Sequence, residues 1–266
     1  MKKHLSRIIS ILLILALFLQ LSLPSAAEVK SSLYRAPVAA SAKADEAIAN
    51  TKSGSTDLLS LSSTDILGEN YARREESAKT FFLDHNNGIV ASYGSRVHKK
   101  ASDGSWEDID NTLYLEKEQY RLKNGAFDLV LSEKFGENTF SENGKSLSWR
   151  WENAEKASAE IVDAVDEDLL KSPFYLPNLT SRLLYKEAFP GADVLCTVNT
   201  LGVKEDIILK NKEAATVYTF TMDIGKLTAK QTNERTITLY DENGKAVYEI
   251  QAPMMEDAKG ESSEEL

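Results

Sequence analysis

The stretch NGKSLSWRW, from Asn143 to Trp151, decides the fold class. It opens with Asn143-Gly144, one of the Gly and Asn turn signals that separate the short runs of this chain. After the turn, Leu147, Trp149 and Trp151 alternate with polar residues. Successive side chains of a strand point to opposite faces of a sheet, so this pattern predicts a half-buried strand.

Short runs of the same kind continue on both sides of this strand, separated by Gly and Asn turn signals. The predicted hairpins join residues 80–83 to 89–93, 120–123 to 127–132, 194–199 to 203–210 around Gly202, and 236–240 to 246–251 around Asn243-Gly244. In the second hairpin we predict a two-residue loop at Asn124-Gly125, because both positions tolerate positive φ. Residues 166–178 contain two prolines and clustered acids, which favours a long loop. No long amphipathic helix is predicted, so we expect an all-β fold over residues 71–255, an antiparallel β-sandwich that is one large or two smaller ones.

The N-terminus has the three parts of a secretory signal peptide. Lys2, Lys3 and Arg7 precede an apolar run over residues 8–23, and small residues follow, so we predict cleavage after Ala27. A retained membrane anchor is the less favoured alternative, because the run is shorter than the ~20 apolar residues that span a bilayer. We therefore expect a secreted or extracellular protein that meets the membrane only before cleavage.

Composition indicates the nature of the two segments that flank the β-rich region, and the net charge argues against nucleic-acid partners. Residues 28–70 are rich in Ala and Ser and are predicted to be a flexible linker, and residues 256–266 form an acidic tail. Removing residues 1–27 takes away three cations and no acids, which changes the formal charge from −10 to −13. Because a negative chain repels phosphate backbones, we do not expect nucleic-acid partners.

Residues that could support catalysis are few, and each has a simpler interpretation. The single cysteine, Cys196, shares strand parity with two valines, which favours a buried thiol over a reactive or intermolecular one. His85 and His98 are not part of any recognisable catalytic triad. Acids at Asp103, Glu107, Asp108 and Asp110 could form a glycosidase pair, but a solvated edge that ends in a turn is the preferred interpretation. No catalytic residue, metal site or cofactor is predicted.

Three further patterns have alternative interpretations. Residues 241–244, DENG, resemble the start of a calcium loop but are better explained by a hairpin turn. Trp149 and Trp151 are candidate glycan-binding residues if they face outward, whereas the sandwich core is the preferred place for them. Lys204 and Glu205 are adjacent and face opposite sides of a strand, and the sequence leaves open which of them is buried.

Three segments together carry a family resemblance. They are Val97-His98 with residues 103–113, DGSWEDIDNTL; the region from Tyr185 through PGADV (190–194) to GVKEDIIL (202–209); and PMM (253–255) with Asp257-Ala258. The chain from about Tyr71 onward resembles the N-terminal β-rich region of large secreted, wall-associated proteins of Gram-positive bacteria that carry RHS (YD) repeats or DNRLRE domains. The resemblance implies a non-catalytic module of a long polypeptide, with no catalytic residues, and it implies that such a chain continues beyond residue 266.

These observations lead to an expected function and two rivals. We expect a non-catalytic exported module, the N-terminal structural and interaction part of a cell-surface or extracellular protein. Its expected partners are cell-wall or other glycans, or downstream domains of the same polypeptide. A carbohydrate-binding module is the alternative, and a secreted glycoside hydrolase is the third hypothesis.

Overall fold

A computed structural model describes residues 33–35, 65–84, 87–154, 157–162, 172–233, 235–257 and 262–263. They fall into two compact units. The smaller unit contains residues 33–35, 65–84, 87–110 and 172–179, and the larger unit contains the rest. The expected all-β class is confirmed, because the regular elements described are strands apart from short turns of 3-10 helix at Tyr71–Arg73 and Pro177–Leu179. Among these residues no helix is long and apolar enough to cross a membrane.

The smaller unit consists of a four-stranded antiparallel sheet and a separate hairpin. Its strands are β1 (Leu33–Arg35), β2 (Gly68–Glu69), β3 (Ala78–Phe82), β4 (Asn87–Ser92), β5 (His98–Lys100) and β6 (Trp106–Asp108). The sheet has the order β1-β4-β3-β2, and β5 pairs with β6. The predicted hairpin of residues 80–83 and 89–93 is confirmed as β3 and β4. Strands β1 and β2 lie within the segment predicted to be a linker, so two parts of that segment pair as edge strands.

A small apolar cluster supports the four-stranded sheet. Ile89 and Ala91 of β4 pack with Phe174, which is also buried. The ring of Phe174 lies 5.5 Å from that of Phe81, and the Tyr93 hydroxyl donates a hydrogen bond to the Phe174 carbonyl at 3.0 Å. The described part of the predicted loop, residues 172–178, therefore anchors one side chain in this core.

The larger unit contains three principal sheets and one short ribbon. Its strands are β7 (Asp110–Glu116, which starts one residue before the unit), β8 (Gln119–Asn124), β9 (Asp128–Ser132), β10 (Asn138–Glu142), β11 (Lys145–Trp151), β12 (Ala159–Val162), β13 (Ser181–Phe189), β14 (Ala192–Asn199), β15 (Gly202–Leu209), β16 (Phe220–Asp223), β17 (Thr228–Gln231), β18 (Ile237–Tyr240), β19 (Ala246–Ile250), β20 (Met255–Glu256) and β21 (Ser262–Ser263). The sheet orders are β16-β11-β10-β9-β8-β7, β12-β13-β14-β15 and β17-β18-β19. The ribbon β20-β21 lies mainly in the stretch predicted to be an acidic tail.

The six-stranded and four-stranded sheets of the larger unit enclose one core, as a sandwich does. Trp151 of β11 makes an edge-to-face contact with Phe189 of β13, with ring centroids 6.1 Å apart. The third sheet adds Leu239 and Tyr248 to the same cluster. Each large apolar side chain that is fully buried contributes roughly 1.5–3 kcal/mol, so this core supplies much of the stability of the unit.

One hairpin turn lies at an Asn-Gly turn signal, and two other turns do not have the form that such signals predict. Asn143 and Gly144 have φ of 51° and 71°, as the Asn-Gly signal predicts. Lys117 and Glu118 also have positive φ, 50° and 63°, at a turn with no such signal. The predicted two-residue loop at Asn124-Gly125 is wrong, because Asn124 ends β8 and the connection spans residues 125–127. Glycine is needed at 125 for space, since a Cβ there would lie 2.7 Å from the backbone carbonyl oxygen of Phe127.

Candidate functional site

Five charged or titratable side chains of the smaller unit meet in one cluster. We call Glu69, Arg74, Lys79, His98 and Asp108 the ion network. Four of them are carried by strands β2, β3, β5 and β6, and Arg74 follows the 3-10 turn after β2. The register pairs His98 directly with Asp108 across the β5–β6 hairpin. Burial differs within the network, since the His98 side chain is 0% exposed and that of Asp108 is 48% exposed.

The two cations of the ion network bind both carboxylates. Arg74 donates from Nε to Glu69 Oε1 at 2.7 Å and from Nη2 to Asp108 Oδ2 at 2.7 Å. Lys79 donates from Nζ to Glu69 Oε2 at 3.1 Å and also to Asp108 Oδ1. Each carboxylate therefore contacts two cations, and the four formal charges balance.

The ion network shifts the pKa values of its acids downward. Burial alone would raise the pKa of Glu69, but hydrogen bonds from Arg74 and Lys79 outweigh it, and the pKa is lowered. The pKa of Asp108 is lowered by the same balance, with burial opposed by hydrogen bonds from Lys79 and Arg74. Both acids are therefore carboxylates near neutral pH.

His98 presents one ring nitrogen to these carboxylates without a hydrogen bond. Its Nδ1 lies 2.6 Å from the Glu75 carbonyl oxygen, and because that oxygen can only accept, Nδ1 carries the proton. Burial and the nearby cations lower the pKa of His98, which favours the neutral ring. Its Nε2 then carries a lone pair, lies 3.6 Å from Glu69 Oε1 and 3.5 Å from Asp108 Oδ1, and has no hydrogen-bond partner.

A second polar cluster lies inside the core of the larger unit, around Glu205. Two indole N–H groups donate to Glu205 Oε2, from Trp149 at 3.0 Å and from Trp151 at 3.1 Å. The Asn138 amide and the Cys196 thiol lie 3.5 Å from Oε1 as donors. We call these five residues the Glu205 cage. Its residues lie on strands β10, β11, β14 and β15, so one carboxyl group links both sheets of the sandwich.

In the Glu205 cage, burial raises the pKa values of Glu205 and Cys196, in contrast to the lowered values in the ion network. Burial raises the pKa of Glu205, and hydrogen bonds from Trp149, Cys196 and Trp151 only partly oppose the rise. Burial also raises the pKa of the Cys196 thiol, and the neighbouring carboxyl adds to the effect. Cys196 is fully buried, so the cage does not supply an accessible nucleophile.

The structure shows which of Lys204 and Glu205 is buried. Glu205 is 1% exposed, whereas Lys204 lies on the opposite face and pairs with Asp206 at 2.8 Å. It also places Trp149 and Trp151 in the core, 1% and 6% exposed, with their N–H groups bonded to Glu205. Neither tryptophan offers a ring face on which a sugar could stack.

The acids considered as a catalytic pair occupy different environments. Asp103 is fully exposed and accepts hydrogen bonds from the Ser105 amide and hydroxyl, which lower its pKa. Glu107 is exposed, and only Asp108 joins the ion network. Ile109, next to Asp108, is completely buried at the break between β6 and β7.

The remaining predicted features can be located briefly. Asp241 accepts hydrogen bonds from the amides of Asn243 and Lys245, so residues 241–244 form a hairpin turn. The predicted cleavage position Ala27 and the turn residue His85 lie outside the described residues. Sequence reasoning missed Glu69, Arg74 and Lys79, although a lysine within the run AKTFF (78–82) was a usable signal.

Comparison with curated proteins finds distant similarity to three WapA proteins of Bacillus. These are the tRNA(Glu)-specific nuclease WapA of Bacillus subtilis subsp. natto, the tRNA nuclease WapA of Bacillus subtilis, and the tRNA3(Ser)-specific nuclease WapA of Bacillus spizizenii. Each is 23% identical over 209 residues, which cover 72% of this chain and only 8% of the relative. No protein-family model and no solved structure matches the chain. The chain is thus distantly similar to a small part of WapA, a large wall-associated YD-repeat protein of Bacillus.

Proposed function

We propose that this chain is a non-catalytic β-rich module that is exported and serves as a structural and interaction part of a cell-surface or extracellular protein. The observation that carries the proposal is the distant similarity of 72% of the chain to 8% of WapA. In those relatives the matching region is a small part of a much longer polypeptide. The nuclease activity in the names of the relatives belongs to those whole proteins, and we do not transfer it.

The environment of the acidic groups supports a non-catalytic role. General acid–base catalysis requires a group within hydrogen-bond reach of the substrate. Glu205 is enclosed in the core, and both carboxylates of the ion network are bound by Arg74 and Lys79. A bulky substrate such as a glycan or a tRNA would have to displace these partners first.

Export is tested by expressing the tagged full-length chain in a Gram-positive host. We expect the product in the wall or medium fraction, with Glu28 as its first residue. The variant Ala27→Trp places a bulky side chain at the predicted cleavage position, so unprocessed precursor should accumulate at the membrane. Unprocessed parent protein that stays in the cytoplasm would contradict export.

The absence of catalysis is tested on the secreted full-length product with tRNA and with purified cell-wall polysaccharide. We expect neither substrate to be cleaved. Cleavage that is lost in Asp108→Asn, with the fold retained by circular dichroism, would overturn the proposal. Retention on the polysaccharide without cleavage would instead favour the carbohydrate-binding alternative.

A further inference from the structure

Three atoms of the ion network could act together as metal ligands. His98 Nε2, an oxygen of Glu69 and an oxygen of Asp108 all lie within 4.8 Å of one another. His98 Nε2 is separated from the two oxygens by 3.6 and 3.5 Å. A tetrahedral zinc site with metal–ligand bonds of about 2.0–2.1 Å separates its ligand atoms by about 3.3 Å. The two nitrogen–oxygen distances are therefore within a few tenths of an ångström of that spacing, and the two oxygens, which lie within 4.8 Å of each other, would have to close around the ion.

His98 has the arrangement of a metal-binding histidine. Metal-bound imidazoles usually donate their second N–H to a carbonyl or carboxylate, which fixes the ring and leaves the other nitrogen free to coordinate. Here Nδ1 donates to the Glu75 carbonyl at 2.6 Å, and the buried Nε2 has no hydrogen-bond partner. An unpartnered polar atom at a completely buried side chain requires an explanation. A cation bound between Nε2 and the two carboxylates provides one.

We propose that Glu69, His98 and Asp108 form a site for a divalent transition-metal ion of the Zn²⁺ class. One nitrogen and two carboxylate oxygens are ligands that Zn²⁺ accepts. The half-exposed Asp108 side chain gives the ion a route from solvent. A solvent molecule would complete the fourth position.

Two resident cations set the affinity of this site. Arg74 and Lys79 already donate to the same carboxylates, but a carboxylate oxygen has two lone pairs and can accept a hydrogen bond while it coordinates a metal. Their positive charges repel the ion, so binding is weaker than in a site without them. Lys79 donates to Asp108 Oδ1, the same oxygen that lies 3.5 Å from His98 Nε2, so its removal should tighten binding.

The test is titration of the secreted full-length protein with Zn²⁺ by calorimetry at neutral pH, with Co²⁺ as a spectroscopic substitute. We expect one saturable site per chain and a visible Co²⁺ band. Asp108→Asn should weaken binding by about tenfold or more, because a charged ligand becomes a neutral one. His85→Ala is the matched histidine control and should leave binding unchanged. His98→Asn should abolish the band.

Loss of binding in a variant of a buried residue could also result from misfolding. The test is therefore completed by a variant that is expected to bind Zn²⁺ more tightly. Lys79→Met removes the nearest opposing charge, and we expect Zn²⁺ to bind about tenfold more tightly and to raise Tm more than in the parent protein. An unfolded protein cannot give that result. Absence of saturable Zn²⁺ binding in both the parent and Lys79→Met would overturn the proposal, as would binding that survives both Asp108→Asn and His98→Asn.

Discussion

The ion network of the smaller unit and the Glu205 cage of the larger unit both surround carboxyl groups with hydrogen-bond donors, but the donors differ in charge. Glu69 and Asp108 are neutralised by the formal charges of Arg74 and Lys79. Glu205 is surrounded by uncharged donors, chiefly two indoles. The pKa values of the first pair are lowered, and that of Glu205 is raised. The partners, and not burial alone, decide whether an enclosed acid is stabilised as an anion.

The largest expected effect removes the carboxyl group from the cage. Glu205→Leu leaves the Trp149 and Trp151 N–H groups buried without an acceptor, and each such group costs about 1–3 kcal/mol, so we expect a loss of about 4 kcal/mol. Guanidinium unfolding followed by tryptophan fluorescence measures it. A Trp106→Phe background leaves only the two cage tryptophans as reporters.

The neighbouring residue provides the control for this variant. Lys204→Met changes a partly exposed side chain whose ion pair with Asp206 lies near the surface, and we expect a change within about 0.5 kcal/mol. Equal losses for the two variants would mean that the cage contributes nothing specific to the stability of the larger unit.

Removal of a cation from the ion network should have the next largest effect. Arg74→Met leaves the mostly buried Glu69 carboxylate with Lys79 as its remaining cation among the bonds described above, and we expect the smaller unit to lose about 3 kcal/mol. Hydrogen exchange of residues 65–110 measures this loss locally. Arg73→Met is the matched control, because Arg73 is exposed, and protection should then change by less than about 0.5 kcal/mol.

The smallest expected effect is a pH response of opposite sign in the two units. Because the pKa of Glu205 lies above its ordinary value of 4.5, the folded state binds this proton more tightly than the unfolded chain. Its contribution to stability is complete below that value and is lost as pH rises through the raised pKa. As pH rises above about 4.5, we therefore expect the free energy of unfolding of the parent protein to fall relative to that of Glu205→Gln, as measured by guanidinium unfolding at a series of pH values.

The acids of the smaller unit should respond in the other direction. The lowered pKa values of Glu69 and Asp108 give stability that is complete above their ordinary values of 4.5 and 3.8. It is lost as pH falls through the lowered values. Exchange protection of residues 65–110, corrected for the intrinsic rates, should therefore decrease on acidification. A common pH profile for both units would contradict the distinction between the ion network and the cage.

Local patterns in the sequence predicted the strands well and the polar clusters poorly. Alternation over Leu147, Trp149 and Trp151 identified β11 and its buried face, because a strand repeats every two residues. The same rule could not say whether Lys204 or Glu205 is buried. The answer depends on donors 54 and 56 residues away in the chain, Trp151 and Trp149, which only the folded sandwich brings to the carboxyl group.

The ion network was hidden from the sequence for a related reason. Arg74 and Lys79 reach Asp108 across 34 and 29 residues of chain, and Glu69 lies in a segment whose composition predicted a linker. His98 and Asp108 were noticed separately, as an isolated histidine and as one acid among four. Their direct pairing follows from the register of the β5–β6 hairpin, which the sequence signals did not specify.

The buried thiol of Cys196 is a chemical probe of how often the core of the larger unit opens. It is the only cysteine of the chain, and it lies at the centre of the sandwich against Glu205. A thiol reagent can modify it only when the two sheets separate, so the rate of labelling reports the opening of the core. The rate of Cys196 labelling therefore measures how well the core of the larger unit stays closed.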